Sequence, residues 1–410
     1  MNVLVVNAGS SSLKYQLFDT ATNTVHAKGI CERIGIEGSL IDHKQLTKGL
    51  KFKKEVPMAN HSDAMQHVVE ALTDAEYGCI SSMDEIEAVG HRIVHGGAFF
   101  SESTLLTDEV LEKLKLCYDF APLHTGAHIQ GIQGCLAVMP TKPQVLVFDT
   151  AFHQTMAPEA YVYALPYRMY TDYGIRRYGA HGTSHRFVAN EMIKILGGKA
   201  EGTKIVTCHI GNGSSISAVK DGKVMDTSMG FTPLAGVEMG TRCGDIDPAI
   251  VPYMMEKENL TTAQVNNLMN KESGFLGITG FSSDSRDLED AISDGPSNEN
   301  YERSNLAVNI LKHHIKKYIG SYAAIMNGLD AVVFTAGIGE NNPHLREIIC
   351  EDMEYFGIEI NKELNAKTLR QPNIVKLSTD NSKVAVYLIP TNEELVIAKD
   401  TEAIVKALKK

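Results

Sequence analysis

Val3-Leu-Val-Val-Asn-Ala-Gly-Ser-Ser-Ser-Leu-Lys14 is a short apolar run, a Gly-Ser turn and the start of a return strand over residues 13–18. Lys204-Ile-Val-Thr-Cys-His-Ile-Gly-Asn-Gly-Ser-Ser215 repeats the plan, with Gly213-Ser214-Ser215 leading into residues 216–219. Each reads as a hairpin whose tight turn exposes backbone N–H groups, a geometry that cradles phosphate. One unit written twice, near the start and past the middle, predicts two domains of one design.

Further runs support that plan. Gln144-Val-Leu-Val-Phe148 ends at Asp149, Ala331-Val-Val-Phe334 precedes Thr335-Ala-Gly-Ile-Gly-Glu-Asn341, and Val384-Ala-Val-Tyr-Leu-Ile389 precedes Pro390-Thr-Asn-Glu-Glu394. Continuous β-branched runs read as strands covered on both faces. Polar motifs at their carboxyl ends are where an open α/β sheet holds ligands. Helical spacing is read over 63–73, 108–118, 127–138, 185–196, 262–270, 301–327, 343–356 and 392–409. Thr391 is expected to cap the last of these, with Glu393 and Glu394 in its first turn.

One phosphate hairpin per domain, with nucleotide between the domains, is similar to the plan of actin, the sugar kinases and the heat-shock ATPases. The expected class is α/β, two duplicated actin-like ATPase (ribonuclease H-like) domains with an interdomain active-site cleft. The first would cover residues 1–150, with a segment returning at about 385–410, and the second 151–384.

The chain has 410 residues, beyond the roughly 250–300 at which single cores stop growing. A net charge of −11 argues against a broad nucleic-acid face. The seven cysteines are widely spaced with no C-x-x-C, which reads as reduced thiols of a cytoplasmic protein. The apolar run at residues 3–6 is too short for a signal peptide or membrane span. Neither nucleic acid nor membrane is expected as a partner.

Asn7-Ala-Gly-Ser-Ser-Ser-Leu-Lys14 closely resembles the N-terminal signature of the acetate and propionate kinases. Tyr173-Gly-Ile-Arg-Arg-Tyr-Gly-Ala-His-Gly-Thr-Ser-His185 resembles their second signature. So do His91-Arg-Ile-Val-His-Gly-Gly97, Asp149-Thr-Ala-Phe-His153, His209-Ile-Gly-Asn-Gly213, Asp226-Thr-Ser-Met-Gly-Phe-Thr-Pro233, Met239-Gly-Thr-Arg-Cys-Gly-Asp-Ile-Asp-Pro248, Gly337-Ile-Gly-Glu-Asn341 and Thr391-Asn-Glu-Glu394. The motifs stand in family order along nearly the whole chain.

The resemblance implies an ATP:acetate phosphotransferase, a homodimer that moves the γ-phosphate of ATP directly, in line and reversibly, to the acetate carboxylate. A carboxylate is already ionised near pH 7, so the task is to overcome repulsion between anions, and positive charge and positioning carry it. Arg92 is implied to bind the carboxylate, and Arg242 and His181 the planar phosphoryl group. Asp149 is implied as the essential acid, positioning Arg92 or a metal-bound water. Asn7 and Glu393 would hold Mg²⁺, with Mn²⁺ as a substitute. Lys14, His209, Ile210, Gly211, Asn212 and Gly213 would meet the nucleotide phosphates. Asp284, Ser285, Arg286, Gly337, Ile338, Gly339, Glu340 and Asn341 would hold the adenosine. Val94, Leu123 and Pro233 would line the acyl pocket, with His124 assisting.

One position departs from the family, which usually has Phe where this chain has Ala180. Since that Phe is implied to wall the acyl pocket, Ala180 predicts a wider one, with propionate used within about tenfold of acetate. A propionate or butyrate kinase is thus one alternative, and an actin-like ATPase, for which Arg92, His181 and Arg242 together have no use, is another. The i, i+4 pairs His91/His95, His124/His128 and His181/His185 admit a zinc reading, but Gly-rich neighbours argue against helix at two of them. Met254 and Met255 read as core filler and Lys406-Ala-Leu-Lys-Lys410 as a solvated helix end.

Overall fold

The computed structural model describes residues 1–408. The chain divides into two compact units, Met1–Phe152 joined by the stretch from Asn392 onward, and His153–Thr391.

The first unit is built on β1 (Asn2–Gly9), β2 (Ser12–Asp19), β3 (Thr24–Glu32), β4 (Leu40–Gln45), β5 (Leu50–Glu55), β6 (Ala88–Ile93), β7 (Thr104–Leu105) and β8 (Gln144–Phe148), in the order β5-β4-β3-β2-β1-β6-β8-β7. β1, β6 and β8 run parallel, and the remaining pairings are antiparallel. The second unit holds β9 (Lys204–Ile210), β10 (Ser214–Lys220), β11 (Lys223–Thr227), β12 (Ala331–Thr335), β13 (Val375–Lys376) and β14 (Ala385–Leu388), ordered β11-β10-β9-β12-β14-β13. Here β9, β12 and β14 are the parallel set. The two orders superimpose strand for strand, β3-β2-β1-β6-β8-β7 on β11-β10-β9-β12-β14-β13, and only the first sheet is extended, by β4 and β5. That is the duplicated actin-like architecture expected from the hairpins.

Strand alternation decides which face each side chain takes. In the first sheet Leu4, Val6, Leu13, Tyr15 and Leu17 meet Met65, Val68 and Leu72 of the helix His61–Thr73, and Cys135 of the helix Pro122–Val138. The opposite face, Val3, Val5, Ala88, Val145 and Val147, is covered by Ile397, Ala398 and Val405 of the helix Glu393–Leu408. That helix comes close because Gly90 has no side chain: a Cβ there would lie 2.5 Å from Thr401 Oγ1 and 2.7 Å from Ile397 Cγ2. In the second sheet one face buries Val206, Cys208, Ile210, Ile216, Val332 and Phe334 against Leu311, Ile315 and Ile319 of the helix Tyr301–Met326. Each such side chain withdrawn from water contributes about 1.5–3 kcal/mol.

The structure corrects several local expectations. The helix expected from residue 127 starts at Pro122, which occupies the first helical turn as proline does well. Gly131 within it serves close approach: a Cβ there would meet Ala8 Cβ at 2.5 Å. The stretch expected as helix over 343–356 stops at Cys350 and gives way to a 3₁₀ turn, Glu354–Phe356. The last helix is capped by Asn392, whose Oδ1 accepts from Leu395 N at 3.1 Å, and not by Thr391. Of the Lys-rich end, Lys409 and Lys410 lie outside the described residues.

Candidate active site

In the first unit the site residues gather at the carboxyl ends of the parallel strands. Arg92 follows Gly90 by two positions on the same sheet face, so it points along the channel that the missing Cβ opens beside the helix Glu393–Leu408. Its Nη2 donates to Asp149 Oδ2 at 2.6 Å, and its Nε lies 3.5 Å from Glu393 Oε2. Nη1 has no protein partner among the described residues. Asp149 directly follows β8, is 2 % exposed, and is tied to β6 by its N–H to the Ile93 carbonyl at 2.8 Å. Arg92 is held charged, above its ordinary value, chiefly by Asp149, against the cost of burial, and then by Glu393 and Glu394. Burial first, with Asp149 and Glu394 adding to it against the pull of Arg92, pushes Glu393 up to about 7. One guanidinium thus stands among three carboxylates, a balance short of positive charge.

The histidines beside this cluster are neutral supports. Burial carries His91 down to about 4, and its Nε2 lies 2.7 Å from Gln144 Oε1. Burial carries His128 to about 3, with His124 and Arg92 adding to the fall, and its Nε2 accepts from Val94 N at 3.2 Å. His124 is exposed and its ring lies over His128, centroids 6.2 Å apart. Leu123 sits on the same helix, but its side chain lies outside the described residues. Asn7 and Lys14 are directly cross-strand and line one pocket of about 220 Å³.

In the second unit the polar face of the sheet carries the site. Thr207, His209, Ser215 and Ser217 point away from the hydrophobic core, toward the helix Gly182–Ile195. His181 caps that helix from left-handed backbone, φ 57°, a conformation that costs a non-glycine residue on the order of 1–3 kcal/mol and marks functional positions. A hydrogen-bond chain sets its tautomer. Thr207 Oγ1 donates to the Ser217 carbonyl at 3.4 Å, so it accepts from His185 Nδ1 at 2.7 Å. Burial holds His185 well below its ordinary value and therefore neutral, which leaves Nε2 bare to accept from Ser215 Oγ at 2.7 Å. Ser215, its one hydrogen spent, accepts from His181 Nδ1 at 2.9 Å. Nε2 is then the His181 nitrogen turned away from Ser215.

That nitrogen faces Arg242. A Cβ built on Gly213 would lie 3.5 Å from His181 Nε2 and 3.4 Å from Arg242 Nη1, so both groups converge over the second hairpin turn. The turn is Gly211-Asn212-Gly213, since Ser214 and Ser215 are already in β10; the sequence placed it two residues later. The Arg242 loop is clamped to this turn: Gly240 N donates to the Asn212 carbonyl at 3.2 Å. Arg242 is half-buried, its Nη1 bonded to the Pro233 carbonyl at 3.0 Å and near Met239 Sδ at 3.6 Å, with no carboxylate partner among the described residues. His209 stacks on His181 at 4.1 Å and its Nδ1 is 2.8 Å from Ser184 Oγ.

Other expected residues take different parts. Ile210 is fully buried in the second core, so only its backbone can meet a ligand. Ile338 packs against the same core. The Gly337, Ile338, Gly339, Glu340, Asn341 stretch, expected to open the helix that begins near Pro343, forms a short helix of its own, Ala336–Asn341, ahead of Pro343–Cys350. Glu340 Oε1 accepts from Ala336 N at 2.9 Å and Thr391 N at 3.1 Å, bracing the end of β12 against the chain after β14. Asn341 Nδ2 donates to the Gly337 carbonyl at 2.8 Å. Half-buried Asp284 and exposed Arg286 are paired to each other at 2.5 Å, with Ser285 opening the helix that Asp284 caps. Val94 belongs to the first unit and half-buried Pro233 to the second. Sequence reasoning passed over Ser215, Thr207 and Ser184 as site residues. The alternating polar positions in β9 and β10 were the available signal.

A family model described as the Acetokinase family matches residues 2–399. An acetate kinase of Thermoanaerobacter pseudethanolicus is 54% identical over 409 residues, covering the whole of both chains. The solved acetate kinase of Porphyromonas gingivalis superimposes with a TM-score of 0.94 at 46% identity, over 98% of this chain and 99% of that one. A propionate kinase from Francisella tularensis gives a TM-score of 0.88 at 39% identity over the same shares. With its motifs, its two matching sheets and this full-length similarity, the chain belongs to the acetokinase family.

Proposed function

We propose that this chain transfers the γ-phosphate of ATP, reversibly, to the carboxylate of acetate, giving acetyl phosphate and ADP. The observation that carries the reading is the convergence of His181 Nε2 and Arg242 Nη1 over the bare Cα of Gly213. Two cationic donors aimed at one point beside a phosphate-type turn suit a phosphoryl group in flight. A carboxylate oxygen attacks phosphorus, the bond to the bridging oxygen of ADP breaks, and no proton need move. Arg92, oriented by Asp149, offers Nη1 to the second carboxylate oxygen. His181 acts as the imidazolium, donating from Nε2, while Ser215 keeps Nδ1–H occupied in either charge state.

The residues fit Mg²⁺. It is held by one or two carboxylates together with phosphates and waters, and the excess of Asp149, Glu393 and Glu394 over Arg92 supplies the negative charge. Glu393, with Asn7, would hold it, and it would neutralise charge on the β- and γ-phosphate oxygens. Lys14 and the Gly211-Asn212-Gly213 turn suit the phosphates, and Asp284, Arg286 and Gly337 the adenosine. No helix among the described residues is long and apolar enough to cross a membrane. All seven cysteines are free, in keeping with a cytoplasmic home. The exposed apolar Ile246, Ile250 and Tyr253 of the second unit favour a homodimer.

Acetate is favoured over longer acids. Ala180 is buried in a small cluster with Met229 and Met239, so adaptable methionine side chains take up room that a ring at 180 would need. One methylene then costs roughly 1–3 kcal/mol, and kcat/KM for propionate is expected to fall more than tenfold below that for acetate. Trapping the acyl phosphate as a hydroxamate with C2 to C4 acids measures this. Equal rates with acetate and propionate would show the wide pocket instead. ATP hydrolysis independent of any acid would overturn the kinase reading.

Gly213→Ala tests the convergence point. The new methyl would make only ordinary contacts of 3.4 and 3.5 Å, so melting temperature should hardly move. It would occupy the ground assigned to the phosphoryl group, and kcat should drop about tenfold or more. A folded variant with wild-type kcat would place the reacting phosphorus elsewhere.

A further inference from the structure

The sheet face that begins under the helix Glu393–Leu408 at Val5 runs on uncovered across β2 to β5 and carries a second feature. Val5, Gln16, Lys28, Lys44 and Lys51 form one cross-strand row, and Asn7, Lys14, Ile30, Asp42 and Lys53 the next. Five lysines therefore share one face of a protein whose net charge is −11. Lys14, Lys28 and Lys44, with Gln16, Asp42 and Glu394, line the pocket of about 220 Å³ already noted beside Asn7. Among the described residues none of the five lysines has an ion pair or a hydrogen bond, and Asp42 and Glu394 pair with none of them.

Like charges directly opposite each other on neighbouring strands destabilise a sheet, yet Lys28 faces Lys44 and Lys44 faces Lys51. Lysines on an edge strand are readily explained as protection against unwanted strand pairing, and Lys51 and Lys53 on β5 fit that account. Lys28 and Lys44 do not. β3 and β4 are interior strands with neighbours on both sides, so there is no open edge to guard. Something anionic is the natural counterpart of the three lysines in the concavity.

We propose that this pocket binds a condensed phosphate chain of two or three phosphates, held by Lys14, Lys28 and Lys44. Directly opposed residues stand roughly 5 Å apart and diagonal ones about 7–8 Å. Lys44, Lys28 and Lys14 follow that sequence, direct and then diagonal, as a ladder of point charges along an extended polyanion. Ammonium groups on flexible stems suit successive phosphates that need no bidentate fork. The site rests on the reading above only through Lys14; Lys28 and Lys44 belong to no role assigned so far. The chain is either free inorganic polyphosphate or the tail of a bound nucleotide.

The test is calorimetric titration of the full-length protein with sodium tripolyphosphate. Wild type is expected to bind one chain per protomer. Lys28→Gln/Lys44→Gln should bind at least tenfold more weakly with an unchanged circular-dichroism spectrum, since both side chains are exposed. Lys199→Gln/Lys223→Gln, which removes two exposed lysines of the second unit, should bind like wild type. Absence of wild-type binding, equal binding by the first double variant, or an equal loss in the second overturns the proposal. The KM for ATP separates the sources. Tripolyphosphate binding lost with KM unchanged assigns the site to free polyphosphate. Both weakened together assigns it to the nucleotide tail.

Discussion

Arg242→Ala is expected to lower kcat by about 10³-fold or more, with KM for acetate changed far less. An arginine that meets charge developing in a phosphoryl transition state is worth on the order of 10³–10⁵ in rate, and a contact made mainly there appears in kcat. The structure makes this an unusually clean variant. Arg242 has no carboxylate partner among the described residues, and its guanidinium donates to the Pro233 carbonyl and Met239 Sδ, so its removal orphans no buried charge. Arg92→Ala is different. It strips the partner from Asp149, which is 2 % exposed, and breaking a buried pair from one side costs about 3–5 kcal/mol of stability. Steady-state kinetics over acetate and ATP, with a melting curve for each variant, separate the two. If folded Arg242→Ala keeps more than about a tenth of wild-type kcat/KM, a loss under roughly 1.4 kcal/mol, Arg242 does not face the transferring phosphoryl group.

Glu238→Gln is expected to stabilise the protein in mild alkali by roughly 3–5 kcal/mol. Glu238 is 2 % exposed and neither carboxylate oxygen has a hydrogen-bond partner among the described residues. Burial pushes it from 4.5 up to about 8. Between those values the folded protein retains a proton that the unfolded chain has released, so folding stability falls as pH rises. The contribution is intact below the unfolded value near 4.5 and fully lost once pH has passed about 8. Glutamine resembles the protonated acid, so variant and wild type should unfold alike near pH 4.5, then diverge by up to about 1.4 kcal/mol per pH unit. Urea unfolding at a series of pH values measures the difference. Parallel curves for the two proteins would mean that Glu238 carries no raised pKa.

Much of this molecule was legible in its residues. The apolar runs named the central parallel strands β1, β8, β9, β12 and β14, because a strand covered on both faces must be apolar throughout. The paired Gly-Ser hairpins announced a design used twice, and the two strand orders match accordingly. Arg92, Asp149, His181 and Arg242 were named from motifs, and the structure brings Arg92 to Asp149 in one unit and His181 to Arg242 in the other. Helix ends were read less well: the helix expected from residue 127 starts at Pro122, because a proline that breaks a helix interior is accommodated in the first turn, where its missing N–H is not needed.

What the sequence determined by itself was local: which runs are strands, which turns are tight, which motifs hold charge. Tertiary structure alone decided which side chains oppose one another. That Gly90 lets a helix from the far end of the chain bring Glu393 to Arg92, that Ser215 joins His185 to His181, that Ile210 turns into the core and that Lys28 stands beside Lys44 all depend on register and packing between distant residues. Backbone preference and apolar period act over a few neighbours and set the face a residue takes. The partner waiting on that face is chosen only when the whole sheet and its covering helices close together.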